Sequence, residues 1–256
     1  MFRSNYKQGF MINSIPEGVL KDAKPYVLQG QRILILADIH APYHNKKAID
    51  KALELGKQYK VDTILLMGDI IDFFPISRFN KSPANPNLQH ELNTTTSILM
   101  HIRKQFPKST IYMQHGNHEE RLEKYINEHT ELFGLECLQL KALLKFKELK
   151  IIEIDGNTIM RIGNLFLNHG HKINAGGLTP AKNMLNKWHC DLAWGHLHRT
   201  DEFHFRKFDG NIISTYSIGC LCALQPDYWA NNNWNAGCAI VERGKEGKYK
   251  FNNIRL

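Results

Sequence analysis

Residues 32–40 read RILILADIH, an apolar run that ends with an aspartate and a histidine two positions apart. A continuous apolar run of this length is typical of a strand buried on both faces of a parallel sheet. Polar side chains just beyond such a strand lie at the sheet edge where α/β proteins bind ligands. The stretch therefore predicts a buried strand over 32–37, followed by ligand-binding positions at Asp38 and His40.

Four further blocks of the chain have the same arrangement, in which polar residues follow an apolar run. The runs are 61–67, 110–114, 165–168 and 190–194. The blocks after them are Gly68-Asp69-Ile70-Ile71-Asp72, Gly116-Asn117-His118-Glu119, His169-Gly170-His171 and Gly195-His196-Leu197-His198. Each block alone is explained by a turn or a buried histidine. Together they bring carboxylates and imidazoles to one crevice, which predicts a metal site.

The spacing of apolar residues predicts the other elements of the fold. Asn45 is a good N-cap for a helix, and a second helix is predicted from Leu88 to Phe106 after a proline-rich loop over 74–87. The remaining elements are short helices within 119–148, strands over 151–154 and 158–162, a helix over 179–188, and a half-buried strand through Phe203, Phe205 and Phe208. Strand–helix units followed by antiparallel strands predict two packed sheets with helices outside.

Composition favours one large domain. The chain has 256 residues, 43% of them hydrophobic, and we expect a domain over 31–256 with residues 1–30 as an extension packed on it. No apolar run approaches the ~20 residues of a membrane span, and the N-terminus lacks the apolar stretch of a signal peptide. We therefore expect a cytoplasmic protein with no membrane partner. The five cysteines fit no zinc ribbon and are predicted to be buried free thiols.

The chain is basic, with a net charge of +8 and a pI of about 9.2. A basic surface attracts polyanions such as nucleic acid. The densest basic stretch, over 141–150, has leucines between its lysines at helical spacing. This pattern is equally typical of the solvated face of an amphipathic helix, so both interpretations stay open.

The order D-x-H, G-D-x-x-D, G-N-H-E, H and G-H-x-H over residues 32–199 resembles the calcineurin-like metallophosphoesterase superfamily. The resemblance implies an α/β fold, a four-layer α/β/β/α sandwich of two mixed sheets, with a binuclear metal centre. It implies that the first metal is held by Asp38, His40, Asp69 and His198, and the second by Asp69, Asn117, His169 and His196. It also implies that His118 is the acid–base group and that Asp72 orients it.

Two divalent ions bound to imidazole and carboxylate are expected to be manganese, with iron or zinc as alternatives. Two such ions ~3.5–4 Å apart can clamp a phosphate while a metal-bound hydroxide attacks it in line. Arg78 and Arg121 could bind the phosphate as bidentate donors, or they could be ordinary surface arginines. His171 could replace His169 as a ligand. Because His169 directly follows the strand, we assign His171 to substrate binding.

The substrate is less defined than the metal centre. Protein phosphatases of the calcineurin and lambda type have arginine after the second aspartate of G-D-x-x-D, whereas this chain has Phe73. The longer strings GDIIDFF, SRF and GNHEERL resemble a phage- and prophage-encoded group of metallophosphoesterases. We therefore expect hydrolysis of phosphodiesters in DNA, RNA or nucleotides. The alternatives are a phosphomonoesterase or phosphoprotein phosphatase and a non-catalytic, metal-bound scaffold.

Overall fold

The computed structural model describes residues 24–82, 85–173, 176–226 and 232–256. The strands are β1 (Tyr26–Val27), β2 (Arg32–Leu36), β3 (Thr63–Met67), β4 (Thr110–Gln114), β5 (Ile151–Ile154), β6 (Met160–Ile162), β7 (Leu165–Asn168), β8 (Leu192–Trp194), β9 (Asp201–Arg206), β10 (Ile212–Ser217), β11 (Gly237–Arg243) and β12 (Tyr249–Arg255). The helices are α1 (Lys46–Gln58), α2 (Leu88–Gln105), α3 (Glu120–Glu128), α4 (Leu140–Leu143), α5 (Phe146–Leu149) and α6 (Pro180–Trp188).

The strands form two mixed six-stranded sheets. The first has the order β12-β11-β2-β3-β4-β5, in which β2 to β5 are parallel and β11 and β12 are antiparallel additions at one edge. The second has the order β1-β6-β7-β8-β10-β9, with parallel pairing of β7, β8 and β10 at its centre. The parallel strand–helix half followed by antiparallel strands confirms the predicted class.

Three apolar layers hold the sheets and helices together. Alternate residues of β2 point to different layers: Ile33 and Ile35 lie between the sheets, whereas Leu34 and Leu36 pack against the outer helices. The outer layer of the first sheet also contains residues of α1 and α2, and Trp194 of β8 packs against α6 outside the second sheet. The result is the expected four-layer α/β/β/α sandwich.

The helix ends follow from local chemistry. The Asn45 side chain accepts a hydrogen bond from the Ala48 amide at 3.1 Å, which confirms the predicted N-cap of α1. Asn87 caps α2 in the same way through the His90 amide at 2.9 Å. The α2 helix ends at Gln105, two residues before Pro107, because the residue preceding a proline disfavours helical backbone.

Some sequence predictions differ from the structure. Phe208 is fully exposed in the turn after β9, so its inclusion in an alternating strand was wrong. The lysine-rich stretch over 141–150 contributes to two short helices, α4 and α5, because Lys145 between them adopts a left-handed backbone with φ of 56°. The lysines of this stretch are exposed. Cys137 is exposed and Cys190 is half-buried, whereas the other three cysteines are buried as predicted.

The chain before residue 31 is described in part. Residues 1–23 of the predicted extension lie outside the described residues, and β1 within 26–27 pairs in parallel with β6 at the edge of the second sheet. The division into an extension and a domain over 31–256 stays a prediction. Among the helices that the structure describes, none has the length and apolar character needed to cross a membrane.

The topology brings the five polar blocks together. Three of them follow β2, β3 and β4, which are neighbours in the first sheet, and two follow β7 and β8, which are neighbours in the second. Because the two sheets pack face to face, the carboxyl ends of these strands meet along one edge of the sandwich.

Candidate metal centre

The first group of candidate ligands is Asp38, His40 and His198. The His198 Nε2 atom lies 3.3 Å from Asp38 Oδ1 and 3.1 Å from His40 Nε2, and His40 Nε2 lies 4.0 Å from Asp38 Oδ1. Donor atoms bound to one ion at 2.0–2.2 Å lie roughly 3–3.5 Å apart. These three side chains therefore have the spacing of ligands to a common cation.

The second group is Asp69, Asn117, His169 and His196. The His169 Nε2 atom lies 3.1 Å from Asp69 Oδ2 and 3.3 Å from Asn117 Oδ1. The ligand atoms of Asp69, His169 and His196 all lie within 4.8 Å of one another. Asp69 Oδ2 is also 3.8 Å from His40 Nε2, so this carboxylate lies between the two groups, where it could bridge two ions.

Hydrogen bonds to the far side of the rings orient three of the histidines. His169 Nδ1 donates to the Met67 carbonyl at 2.8 Å, and His40 Nδ1 donates to Asp72 Oδ1 at 3.1 Å. His198 Nδ1 lies 3.7 Å from the buried Cys222 sulfur. Because a partner occupies Nδ1, the Nε2 lone pair of each ring faces the centre, as metal-ligating histidines require.

The backbone is strained at the candidate ligands. Five of them have φ between 49° and 67°, in the left-handed region that residues other than glycine seldom adopt: Asp38, His40, Asp69, His196 and His198. Each such residue costs on the order of 1–3 kcal/mol, and strain of this kind concentrates at functional sites. Its presence at five of the seven candidate positions indicates that the local backbone is held for side-chain placement.

Two motif glycines let the backbone approach the carboxylates. A Cβ atom on Gly116 would lie 2.2 Å from Asp69 Oδ1, and one on Gly195 would lie 2.7 Å from Asp38 Oδ2. Both distances are far below van der Waals contact. The loops after β4 and β8 can therefore close on the two aspartates only with glycine at these positions.

The charges of the site favour a cation. Burial raises the pKa of Asp69, but the adjacent His169 and His118 outweigh it and hold this pKa well below its usual range. Burial lowers the pKa of His169, but the carboxylates of Asp69 and Asp38 raise it to about 10. His196, by contrast, has its pKa lowered to about 4 by burial and by the nearby His169. The two buried carboxylates thus stabilise a positive charge, either a proton or a metal ion, at the His169 imidazole.

The donor set fits two divalent ions. It contains two carboxylates, four imidazoles and one amide side chain, all buried or half-buried. Imidazole with carboxylate suits manganese, iron or zinc. Each of the two groups would hold one ion, and the Asp69 carboxylate would bridge the two ions.

His118, Asp72 and Arg121 form a connected group beside the ligands. His118 Nδ1 donates to the Asp72 carbonyl at 2.8 Å and also lies 2.8 Å from Asp72 Oδ1, the carboxylate oxygen that accepts from His40. His118 Nε2 lies 3.9 Å from Asp69 Oδ2 and 3.1 Å from Arg121 Nη2, while Arg121 Nη1 donates to the Asp72 carbonyl at 2.7 Å. Asp72 therefore orients the candidate acid–base histidine through its carbonyl and a candidate ligand through its carboxylate.

The remaining predicted site residues lie around this centre. His171 Nε2 is 3.0 Å from Glu120 Oε1, so His169 and not His171 contacts Asp69. The His171 ring is still close, with its centroid 6.2 Å from that of His196. Arg78 is exposed in the loop after β3, with its guanidinium over the Phe79 ring.

Glu119 is a functional residue that sequence reasoning missed. Its carboxylate is 2% exposed and accepts four backbone N–H groups, from Asp69, Ile70, Ile71 and Gly116, at 2.7–3.3 Å. These amides belong to the loops after β3 and β4. The one signal in the sequence was its place at the end of the G-N-H-E block. Glu119 fixes the position of the candidate bridging aspartate relative to Asn117.

Comparison with known proteins identifies the family. The model of the calcineurin-like phosphoesterase family matches residues 31–213. The chain therefore belongs to the calcineurin-like phosphoesterase family, which indicates a hydrolase of phosphoester bonds. It is also similar to the gene 54 proteins of Mycobacterium phages L5 and D29. Each is 19% identical to it, over 82% of this chain and 88% of the phage protein.

Solved structures with similar folds include three described by function or name. A phosphoesterase from E. coli, Yfce, is 15% identical over 82% of this chain and 88% of its own, with a TM-score of 0.42. A dimetal phosphatase from Danio rerio is 10% identical over 88% of this chain and 96% of its own, with a TM-score of 0.44. Vps29 from Entamoeba histolytica, solved as a single mutant, is 14% identical over 88% of this chain and 99% of its own, with a TM-score of 0.42.

We predict that Glu119→Gln destabilises the fold and weakens the metal centre. The amide offers one acceptor oxygen where the carboxylate offers two, and its NH2 group would face backbone N–H donors. A loss of about 2–3 kcal/mol of unfolding free energy is expected from broken charge-assisted hydrogen bonds. Denaturant unfolding and metal analysis measure both effects. Glu123→Gln, at an exposed position of the α3 helix that follows Glu119, is the control. Equal stability and metal content in the two variants would contradict the role.

A second buried glutamate lies behind the site. Glu91 of α2 is fully buried, and neither of its carboxylate oxygens has a hydrogen-bond partner. Burial and the nearby Asp72 charge raise the Glu91 pKa to about 8. The amides of Phe73 and Phe74 face this carboxyl and lower its pKa, but they do not reach hydrogen-bond geometry. Glu91 is therefore protonated in the folded protein at neutral pH.

We predict that Glu91→Gln stabilises the protein increasingly as the pH rises. Because the folded pKa of about 8 exceeds the unfolded value near 4.5, the folded state binds the proton more tightly. Wild-type stability is therefore fully present below pH 4.5 and falls as the pH rises towards 8. Chemical denaturation of both proteins between pH 5 and 9 measures the difference, with exposed Glu128→Gln as the control. A pH-independent difference would show that Glu91 does not hold this proton.

Proposed function

We propose that this protein is a metal-dependent phosphodiesterase that acts on nucleic acid or nucleotides in the cytoplasm. The proposal rests mainly on the position of Asp69 between the two ligand groups. Its Oδ2 atom lies 3.1 Å from His169 Nε2, 3.8 Å from His40 Nε2 and 3.9 Å from His118 Nε2. The proposed ligands are Asp38, His40, Asp69, Asn117, His169, His196 and His198. Manganese is the expected metal, and iron and zinc are the alternatives.

When bound, two divalent ions would polarise the phosphate and supply an activated water for in-line displacement. The chain contributes only two carboxylates to this ligand set, Asp38 and Asp69, and the other five side chains are neutral as ligands. The centre would thus keep a net positive charge, which attracts an anionic phosphodiester.

His118 is the candidate general acid. Its Nδ1 proton is held by the Asp72 carbonyl, so the Nε2 atom faces the reaction space and, once protonated, can pass a proton to a leaving oxygen. In the structure, Nε2 accepts a hydrogen bond from Arg121. A substrate phosphate would attract the Arg121 guanidinium as a bidentate partner and free Nε2. Burial lowers the His118 pKa, but the Asp69 and Asp72 carboxylates outweigh it and raise this pKa, so the freed Nε2 can take up a proton from water and pass it to the leaving oxygen.

Three observations support a nucleic acid or nucleotide diester over a phosphoprotein. Phe73, at the position where protein phosphatases of the calcineurin and lambda type have arginine, is fully buried and offers no phosphate contact. The net charge of +8 favours polyanions. The chain is similar to two phage proteins. A phosphomonoesterase or phosphoprotein phosphatase is the alternative, favoured by the G-N-H-E block with Glu119.

We predict that the manganese-loaded protein hydrolyses an aryl phosphodiester, and DNA or RNA, more efficiently than phosphoserine peptides. The measurement is kcat/KM across this panel, with Asp69→Asn as the control. This variant should lose both metal and activity because it weakens both ligand groups. Rapid cleavage of phosphopeptides without diester cleavage would establish the alternative. Full metal binding without turnover on any ester would establish a scaffold.

We predict that His118→Asn leaves the metal content unchanged and lowers turnover by ~10²–10⁴-fold, the usual contribution of a general acid–base group. The loss should be smaller for a nitrophenolate leaving group, which departs with little protonation, than for an alkoxide. Metal analysis and rates for both leaving groups test the role. An equal loss for both, or release of the metal, would contradict it.

A further inference from the structure

An exposed aromatic ring lies at the rim of the candidate centre. Phe79 is 51% exposed, and the guanidinium carbons of Arg78 and Arg121 lie 5.7 and 5.9 Å from its ring centroid. We propose that Phe79, with these two arginines, forms a subsite for the base of a nucleotide whose phosphate lies at the centre. This inference rests on the proposed function and specifies its substrate class.

The loop that contains Phe79 is fixed by its own hydrogen bonds. Ser77 is buried, and its Oγ accepts from the Phe79 amide at 3.3 Å. The Lys81 ammonium donates to the Ser77 carbonyl and closes the loop from the other side. An apolar ring held outwards in this way loses little entropy when it contacts a ligand, because the loop is already ordered.

Arg121 connects the ring to the chemistry. Its guanidinium donates to the Asp72 carbonyl and contacts His118 Nε2 at 3.1 Å, while its carbon lies over Phe79. The aromatic ring and the candidate general acid are therefore separated by one guanidinium group. A ligand that reaches both must have a phosphate at one end and a flat group beyond it.

The surroundings of the ring select among ligands with this shape. Two guanidinium groups favour an anion, and an exposed ring favours a stacking partner, which together describe a nucleotide. Phosphotyrosine also combines an anion with a ring, but its ring is bonded directly to the phosphate oxygen. Because the Arg121 guanidinium lies between His118 and the Phe79 ring, a phosphate at the centre is not directly against that ring, which favours a ligand with a sugar between its phosphate and its base. Stacking is tolerant of base identity, since every base has a π-face.

The test measures binding and turnover separately. With manganese-loaded protein, competition by AMP, ribose 5-phosphate, inorganic phosphate and phosphotyrosine is measured, and kcat/KM is measured for a nucleoside diester and a methyl diester. Wild type should bind AMP roughly 10- to 100-fold more tightly than ribose 5-phosphate, the range expected for one stacked base. Phe79→Ala should remove this preference, and Phe79→Trp should keep it. Exposed Phe208→Ala is the matched control and should behave as wild type.

The outcomes separate this inference from the function on which it rests. An AMP preference that depends on Phe79, in a protein that cleaves no diester, supports the subsite and overturns the proposed reaction. Diester cleavage with equal affinity for AMP and ribose 5-phosphate overturns the subsite alone. A preference for AMP that survives Phe79→Ala, or tighter binding of phosphotyrosine than of AMP, also overturns it.

Discussion

The geometry of the site depends on one buried carboxylate. Glu119 accepts N–H groups from the loops after β3 and β4, and without its carboxylate these four amides would lose this hydrogen-bond partner. The first loop contains Asp69, and the second contains Asn117 and His118. Asp69 in turn accepts a hydrogen bond from the His118 amide at 2.9 Å. The distance between the candidate bridging ligand and the candidate acid is therefore set by hydrogen bonds from backbone amides to the Glu119 and Asp69 carboxylates.

This rigidity explains how a crowded set of polar groups stays in place. Asp38 and Asp69 are buried, and such carboxylates are costly to bury unless they are paired. Their partners include the histidines His40, His196 and His198, and the backbone of these three residues is strained. Strain of a few kcal/mol persists only where the surrounding fold fixes the conformation. The two close-packed sheets and the Glu119 hydrogen bonds provide this constraint at the ligand positions.

The sequence alone predicted the parts of the site that depend on local pattern. Apolar runs located the strands, and the carboxyl ends of parallel strands placed Asp38 and Asp69 at one edge of the sheet. The contacts of Glu119 and Cys222 were not predictable, because they join segments far apart in the chain through distances that no local period encodes. The prediction that Phe208 lies on a strand was wrong for a related reason, because the alternating sequence pattern continues past the end of β9 into a turn.

The structure also separates what is rigid from what selects a substrate. The candidate ligands follow strands of the core, whereas Phe79 and Arg78 lie in a loop that is held by contacts to Ser77 and by the Arg121 guanidinium over the Phe79 ring. Loops on a rigid scaffold tolerate changes that a core does not, and specificity commonly resides there. Arg121 contacts both parts, through His118 on one side and Phe79 on the other. A ligand at the rim that moves this guanidinium would thereby change the hydrogen bonding of the candidate acid, which couples substrate recognition to proton transfer.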